Sequence, residues 1–275
     1  MQAADVSRAM AAARSTAAAL GLPADDALVL QNSNKLALRL KPCEVFARVA
    51  HVGQEVAQFE VELAQLLAET ESPVAALEPR VEPRVHQQDG FAITLWTFYE
   101  SASPEALSPL DYANALERLH LGMRTLDITT PHFTDRVEEA QQLVASPDLT
   151  PALADADREY LSARLHTLRQ TIGGWGAAEQ LLHGEPHPGN VLSTNDGARF
   201  IDLETCCRGP VEFDLAHAPE DVSDRYPHAD RGLIRECRIL VLAMVAAWRF
   251  DRDDEFPNGA QEGRDLLSAL RSTSG

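Results

Sequence analysis

One glutamate, one asparagine and one aspartate stand in this chain at spacings that suit chemistry on phosphates. Glu185 precedes Asn190 by five residues in His183-Gly184-Glu185-Pro186-His187-Pro188-Gly189-Asn190. Asp202 follows twelve residues later, in the short apolar run Phe200-Ile201-Asp202-Leu203-Glu204. Transfer of a phosphoryl group uses these side-chain types. A carboxylate accepts or orients the proton of the attacking hydroxyl, while an amide oxygen and a second carboxylate hold Mg²⁺ where charge builds up on the phosphates.

Local sequence suggests how these residues are held. Pro186, Pro188 and Gly189 cannot continue a helix or a central strand, so residues 185–190 form a fixed loop. A strand begins at Asn190-Val191-Leu192, and Asn195-Asp196-Gly197 marks a hairpin turn. Arg199 to Leu203 reads as the return strand, ending in Asp202 and Glu204. This arrangement brings Glu185, Asn190 and Asp202 to one end of a small hairpin. A zinc site competes for the same stretch, because His183, Glu185 and His187 form H-x-E-x-H. The P-C-x-x-C that completes a zinc deaminase's ligand set is absent, as is H-E-x-x-H; Cys206 and Cys207 are simply adjacent.

The rest of the chain divides by pattern. Residues 1–20 read as an Ala-rich helix stopped at Gly21-Leu22-Pro23. Strand-like runs follow at 27–30, 35–40 and 45–49, with Gln31 to Asn34 as a turn. Residues 55–69 carry Val56, Phe59, Leu63, Leu66 and Leu67 at helical spacing. Two more strands are expected near 84–86 and 91–98. Beyond Ser101-Ala102-Ser103-Pro104 the pattern turns helical: 108–121, 135–145, 151–171, 228–251 and 259–271. The apolar run Ile239 to Trp248 is too short to span a bilayer and reads as a buried helix.

Bulk properties narrow the partners. The 275 residues carry 42 acidic and 24 basic side chains, a formal charge of −18. Such a field repels nucleic-acid phosphates and anionic lipid heads, so neither nucleic acid nor membrane is expected as a partner. It favours a cationic small molecule, although acidity also serves solubility alone. Met1 to Gly21 has no uninterrupted apolar core and is not read as a secretory signal. The four cysteines include no CxxC pair, which suits reduced thiols and a cytoplasmic protein.

The stretch His183 to Asn190, then Ile201-Asp202-Leu203-Glu204, then Asp214-Leu215-Ala216, resembles the aminoglycoside phosphotransferase/choline kinase family, whose pattern is H-G-D-x-H-x-x-N, I-D-[WF]-E, D-L-A. The Glu185-to-Asn190 offset equals that between the catalytic-loop Asp and Asn of protein kinases. The resemblance implies an α+β protein-kinase-like fold: a small β-rich nucleotide-binding lobe at 1–100, and a mostly helical lobe at 101–275 with the catalytic loop and acceptor site. ATP, or GTP in its place, and Mg²⁺ are the implied cofactors, bound between the lobes. A small-molecule hydroxyl, as in an aminoglycoside or another amino or sugar alcohol, is the implied acceptor.

Carried over by residue, Glu185 takes the catalytic position and Asn190 and Asp202 the metal positions, with Glu204 assisting. His183, His187 and Asp214 support the loop. The family's usual Asp is replaced here by Glu185. The added methylene shifts a reactive distance by about 1 Å, which costs on the order of 10²-fold in rate unless something compensates. A nucleotide-binding pseudokinase is therefore the alternative to an active phosphotransferase. In the N-terminal part, Arg48 stands where kinases place the phosphate-gripping Lys, Glu62 is its expected helix partner with Glu60 as runner-up, and Ser33-Asn34 lie at the nucleotide loop. Residues 93–100 are the expected hinge.

Overall fold

The computed structural model describes residues 1–33, 35–53, 56–100 and 107–273. The chain forms two compact units, one of residues 1–126 with 189–205 and the other of residues 127–188 with 206–275. The expected boundary at 101–104 lies outside the described residues.

The first unit is built on a five-stranded antiparallel sheet in the order β1-β2-β3-β5-β4. Its strands are β1 (Ala24–Asn32), β2 (Leu36–Pro42), β3 (Val45–His51), β4 (His86–Gln88) and β5 (Phe91–Thr97). Alternation along the strands sorts its two faces. Leu36, Leu38 and Leu40, then Val45, Ala47 and Val49, then Phe91, Ile93 and Leu95 share one buried cluster with Ala9, Ala12, Ala13 and Ala17 of helix α1 (Ala3–Ala19). Small alanines at helical spacing let α1 lie close on the sheet. The opposite face carries Arg48, and the register sets Arg48 opposite Ala37 and Thr94, with Phe46 opposite Trp96.

Helix α2 (Val56–Ala68) buries Ala57, Glu60, Val61, Ala64 and Leu67. A segment that pattern reading leaves unassigned, residues 73–78, then links two sheets. Glu78 N–H donates to Leu95 O (3.0 Å) and Thr97 N–H to Ala76 O (2.9 Å); on the other side Ala75 N–H donates to Phe200 O (2.9 Å) and Phe200 N–H to Pro73 O (2.8 Å). Phe200 ends the two-stranded hairpin of β7 (Val191–Thr194) and β8 (Gly197–Phe200), turned by Asn195-Asp196. The return strand therefore stops at Phe200, not at Leu203. Asp202 has φ +66° and residues 203–205 form a 3-10 turn, so the backbone leaves the ladder there. Aspartate is among the few side chains that tolerate this left-handed conformation.

Helix α3 (Pro109–Met123) completes the first unit, with Ser108 capping Asp111 N–H and Pro109 in the first turn. The second unit is helical: α4 (Phe133–Ala145), α5 (Asp155–Gly173), α6 (Val211–His217), α7 (Glu220–Ser223), α8 (Arg231–Trp248) and α9 (Gly259–Ser272), with the strand pair β6 (Glu179–Leu182) and β9 (Cys207–Pro210). The apolar run at 239–248 is the buried half of α8, where Leu240, Ala243, Met244 and Ala247 are fully enclosed. Among the described residues no helix is long and apolar enough to cross a membrane.

Gly122 permits a close approach in the first unit. A Cβ at this position would collide with Ser72 Oγ and lie 2.8 Å from Thr70 Oγ1. We expect Gly122→Ala to lower unfolding stability by about 1–3 kcal/mol, the range for overpacking, and Ser72→Ala to restore part of that loss. Urea unfolding of the two single variants and the double variant measures both effects.

Candidate functional site

In the first unit five charged side chains meet. Arg48 Nη1 donates to Glu60 Oε1 (2.6 Å) and Arg48 Nη2 to Asp202 Oδ1 (2.8 Å). Lys35 Nζ donates to Glu60 Oε2 (3.0 Å) and also bonds Glu204 Oε2. Glu60 is 2 % exposed, so its two oxygens are divided between two cations with almost no water. Burial pushes the Glu60 carboxyl up, and Arg48 and Lys35 pull it down against that. Burial would lower Arg48, but Glu60 and Asp202 outweigh it and hold the guanidinium above its ordinary range.

The helix partner of Arg48 is therefore Glu60, and the expectation of Glu62 is corrected. Glu62 is exposed and accepts from Gln58 Nε2 (2.8 Å) on its own helix. The cause is rotation: two residues along an α-helix is about 200° around it. Glu60 shares its face with Leu63, Ala64 and Leu67, whereas Glu62 points away. Lys35 was not identified from sequence, where it reads as one polar position of an alternating strand. The available signal is that Lys35, Ala37 and Arg39 alternate with the buried leucines, and Ala37 pairs with Arg48.

Glu60, Asp202 and Glu204 each offer a carboxylate oxygen, and these oxygens lie within 4.8 Å of one another. Carboxylate oxygens are the donors that hard divalent cations such as Mg²⁺ select. Three carboxylates against two cations leave one formal negative charge. Asn190 closes the same hairpin end, since its carbonyl accepts from Ile201 N–H (3.0 Å). The donor set thus fits a divalent ion in chemistry.

Beside this network lies a cavity of about 260 Å³. Leu30, Phe46, Trp96, Tyr99, Leu192 and Phe200 line it, and Arg48 and Asp202 form its polar end. Trp96 is both a core and a lining aromatic, 6 % exposed with Nε1 donating to Thr94 Oγ1 (2.8 Å). Ser33 sits on the loop after β1, where its N–H donates to Lys35 O (3.1 Å). Asn34 lies outside the described residues.

In the second unit the loop around Glu185 hangs on Asp214. This fully buried carboxylate accepts from His183 N–H (2.9 Å) and Gly184 N–H (2.8 Å). Gly184 has φ +90°, which only glycine adopts without strain, and this lets two successive N–H groups converge on one acceptor. His183 is buried and its Nδ1 accepts from Glu185 N–H (3.4 Å); His187 is exposed and contributes its N–H to Glu185 O (2.8 Å). The carboxylate of Glu185 bonds Arg136 Nη2 on α4, a partner 49 residues away with no local signal. His183, Glu185 and His187 do not come together as a metal-ligand group among the described residues, unlike Glu60, Asp202 and Glu204. Of the acidic surface residues, Glu138 pairs with Arg169 (3.2 Å), Asp224 with Arg231 (2.9 Å), and Asp230 caps α8.

Two predictions follow from these environments. Glu60→Ala strips Arg48 and Lys35 of a shared buried partner and is expected to cost on the order of 3 kcal/mol, against under about 0.5 kcal/mol for Glu62→Ala; chemical denaturation compares them. Burial lowers His217 to about 4, with Glu185 and Asp214 opposing. An unfolded histidine takes its proton near pH 6.5. The folded state is thus penalised progressively as pH falls from about 6.5 towards 4, and the contribution is intact above that window. Melting temperature followed from pH 7.5 to 4.5 should fall less steeply in His217→Gln than in the native chain.

A model of the phosphotransferase enzyme family matches residues 28–258. Methylthioribose kinase of Erwinia tasmaniensis is 32 % identical over 97 residues, which cover 34 % of this chain and 23 % of that protein; the chain thus spans about a quarter of the length of this curated relative. Among solved structures, the GDP complex of aminoglycoside 2'-phosphotransferase-IIIa superposes with TM-score 0.72 at 12 % identity, over 96 % of this chain and 98 % of that one. An amicoumacin kinase in complex with AMP-PNP, Ca²⁺ and Ami gives TM-score 0.72 at 11 % identity, over 99 % and 96 %. At such identities these two show the protein-kinase-like fold, and the family match extends over most of the chain. The chain belongs to the phosphotransferase enzyme family.

Proposed function

We propose that this protein transfers the γ-phosphoryl group of ATP to a hydroxyl of a small molecule, an amino or sugar alcohol, with Mg²⁺ bound. GTP is the alternative donor. The observation that carries the reading is the apolar cavity ending on Arg48 and Asp202, with Lys35, Glu60 and Glu204 directly behind them. Aromatic and aliphatic walls suit the faces of a purine, and the polar end suits phosphates.

In this reading Arg48 grips phosphate oxygens through its planar fork, and Glu60 fixes its direction. Lys35 supplies a second cation that exchanges its carboxylate partners for phosphate. Asp202, Asn190 and Glu204 would hold Mg²⁺, which when bound neutralises charge developing on the phosphates. The acceptor oxygen bonds the γ-phosphorus as the bond to the β–γ bridging oxygen breaks, and ADP leaves. The hydroxyl proton passes to the Glu185 carboxylate. Ser33 and Asn34 are proposed for the phosphate loop, and His183, His187 and Asp214 for holding the segment that carries Glu185. The −18 formal charge supports a cationic acceptor such as an aminosugar. No observation favours a pseudokinase.

The test is ADP release over a panel of amino and sugar alcohols, with ATP and with GTP, in native protein and Asp202→Ala. Turnover is expected to fall by about 10²-fold or more in the variant. The Mg-dependent rise in melting temperature with nucleotide should vanish while the far-ultraviolet circular dichroism stays native. Undiminished turnover in Asp202→Ala removes that residue from the role. No thermal response of the native protein to ATP or GTP at millimolar concentration overturns the reading.

A further inference from the structure

We propose that Arg136 is a positioning residue that fits a glutamate to the catalytic position of this chain. The inference rests on the reading of Glu185 given above. Three observations support it.

First, the backbone that carries Glu185 is pinned. Asp214 holds the N–H groups of His183 and Gly184, and His183 Nδ1 holds that of Glu185. With the main chain fixed, the position of the carboxylate depends on three side-chain torsions, one more than an aspartate has. Arg136 Nη2 bonds Glu185 Oε1 and restrains them. Both side chains are largely enclosed, at 17 % and 23 % exposure, so the pair is little screened by water.

Second, the arginine is itself anchored. Its guanidinium lies over the Trp248 ring of α8, 5.1 Å from the centroid. It stands in the first turn of α4, which is fixed by a reciprocal cap: His132 accepts from Thr134 N–H (3.3 Å), and Asp135 accepts from His132 N–H (2.8 Å). A charged side chain held by a ring on one helix and a cap on another can set the place of its partner.

Third, Arg136 Nη1 is buried without a hydrogen-bond partner among the described residues. Buried donors are almost always satisfied, so this one calls for an explanation.

The consequence is a matched pair. The methylene that glutamate adds is taken up by the reach to Arg136, and the carboxylate is returned to one defined position. Shortening either member breaks the match, and shortening both costs little more than shortening one.

Steady-state kinetics on Glu185→Gln, Arg136→Met, Arg136→Lys, Glu185→Asp and Arg136→Met/Glu185→Asp tests this. Arg136→Met is expected to lose about 10²-fold in kcat, the effect of roughly 1 Å of misplacement. Its nucleotide KM and nucleotide-dependent thermal shift should stay within about twofold of native. Added guanidinium or ethylguanidinium ion should restore part of kcat in Arg136→Met, and Arg136→Lys should lie between Met and native. The Glu185→Asp change should cost much less on the Arg136→Met background than alone, since effects within one unit are not additive. Native turnover in Glu185→Gln would instead sink the assignment of Glu185 itself. An inactive Glu185→Gln beside native kcat in Arg136→Met, or losses in the two single variants that simply add with no rescue, would overturn the role of Arg136 and leave that assignment standing.

Discussion

The division of one buried carboxylate between two cations organises the first unit. Glu60 offers one oxygen to Arg48 and the other to Lys35, and each cation then reaches a second acid, Asp202 or Glu204. An ionised glutamate at 2 % exposure is costly to bury alone, so the contacts must be made or the fold is penalised. Because the partners come from the β1–β2 loop, strand β3, helix α2 and the turn after the hairpin, satisfying one side chain fixes four pieces of chain. The apolar cavity acquires its polar end, Arg48 and Asp202, from two of those pieces, strand β3 and the turn after the hairpin.

The second unit works by an analogous device of opposite polarity. There a buried anion, Asp214, collects backbone donors and freezes a loop whose proline and glycine content already restricts it. The two devices differ in what they fix. The Glu60 network fixes side chains, whereas Asp214 fixes main chain and leaves the attached side chain to be placed by another group. At residue 185 that other group is Arg136, which bonds the glutamate carboxylate while the loop stays pinned.

Much of the architecture was legible because it is periodic. Alternation in 36–40 and 45–49 identified strands and even the faces, since leucine and valine recur every second residue. The Ala-rich helix, the helices at 109–123, 133–145 and 231–248, and the Asn195-Asp196 turn carry local signals that agree with their environment. The failures occurred where periodicity says nothing. The apolar Ile201 and Leu203 suggest a return strand reaching Leu203, but pairing with residues 73–75 ends at Phe200 and the backbone then turns left-handed at Asp202. Residues 73–78 have no repeat and gave no signal, although they tie the hairpin to the large sheet.

The sequence by itself determined the donor types and the short-range spacing: a carboxylate five residues before an amide, a stiff loop between them, and two acids after a hairpin. Those features depend on chain chemistry within a few residues, where proline, glycine and strand alternation act directly. Only the tertiary structure decided which glutamate of α2 meets Arg48, that Lys35 joins it, and that Arg136 meets Glu185. These contacts join residues 12, 25 and 49 positions apart. They depend on helix rotation and strand register, which burial of whole faces sets, and no local pattern records them.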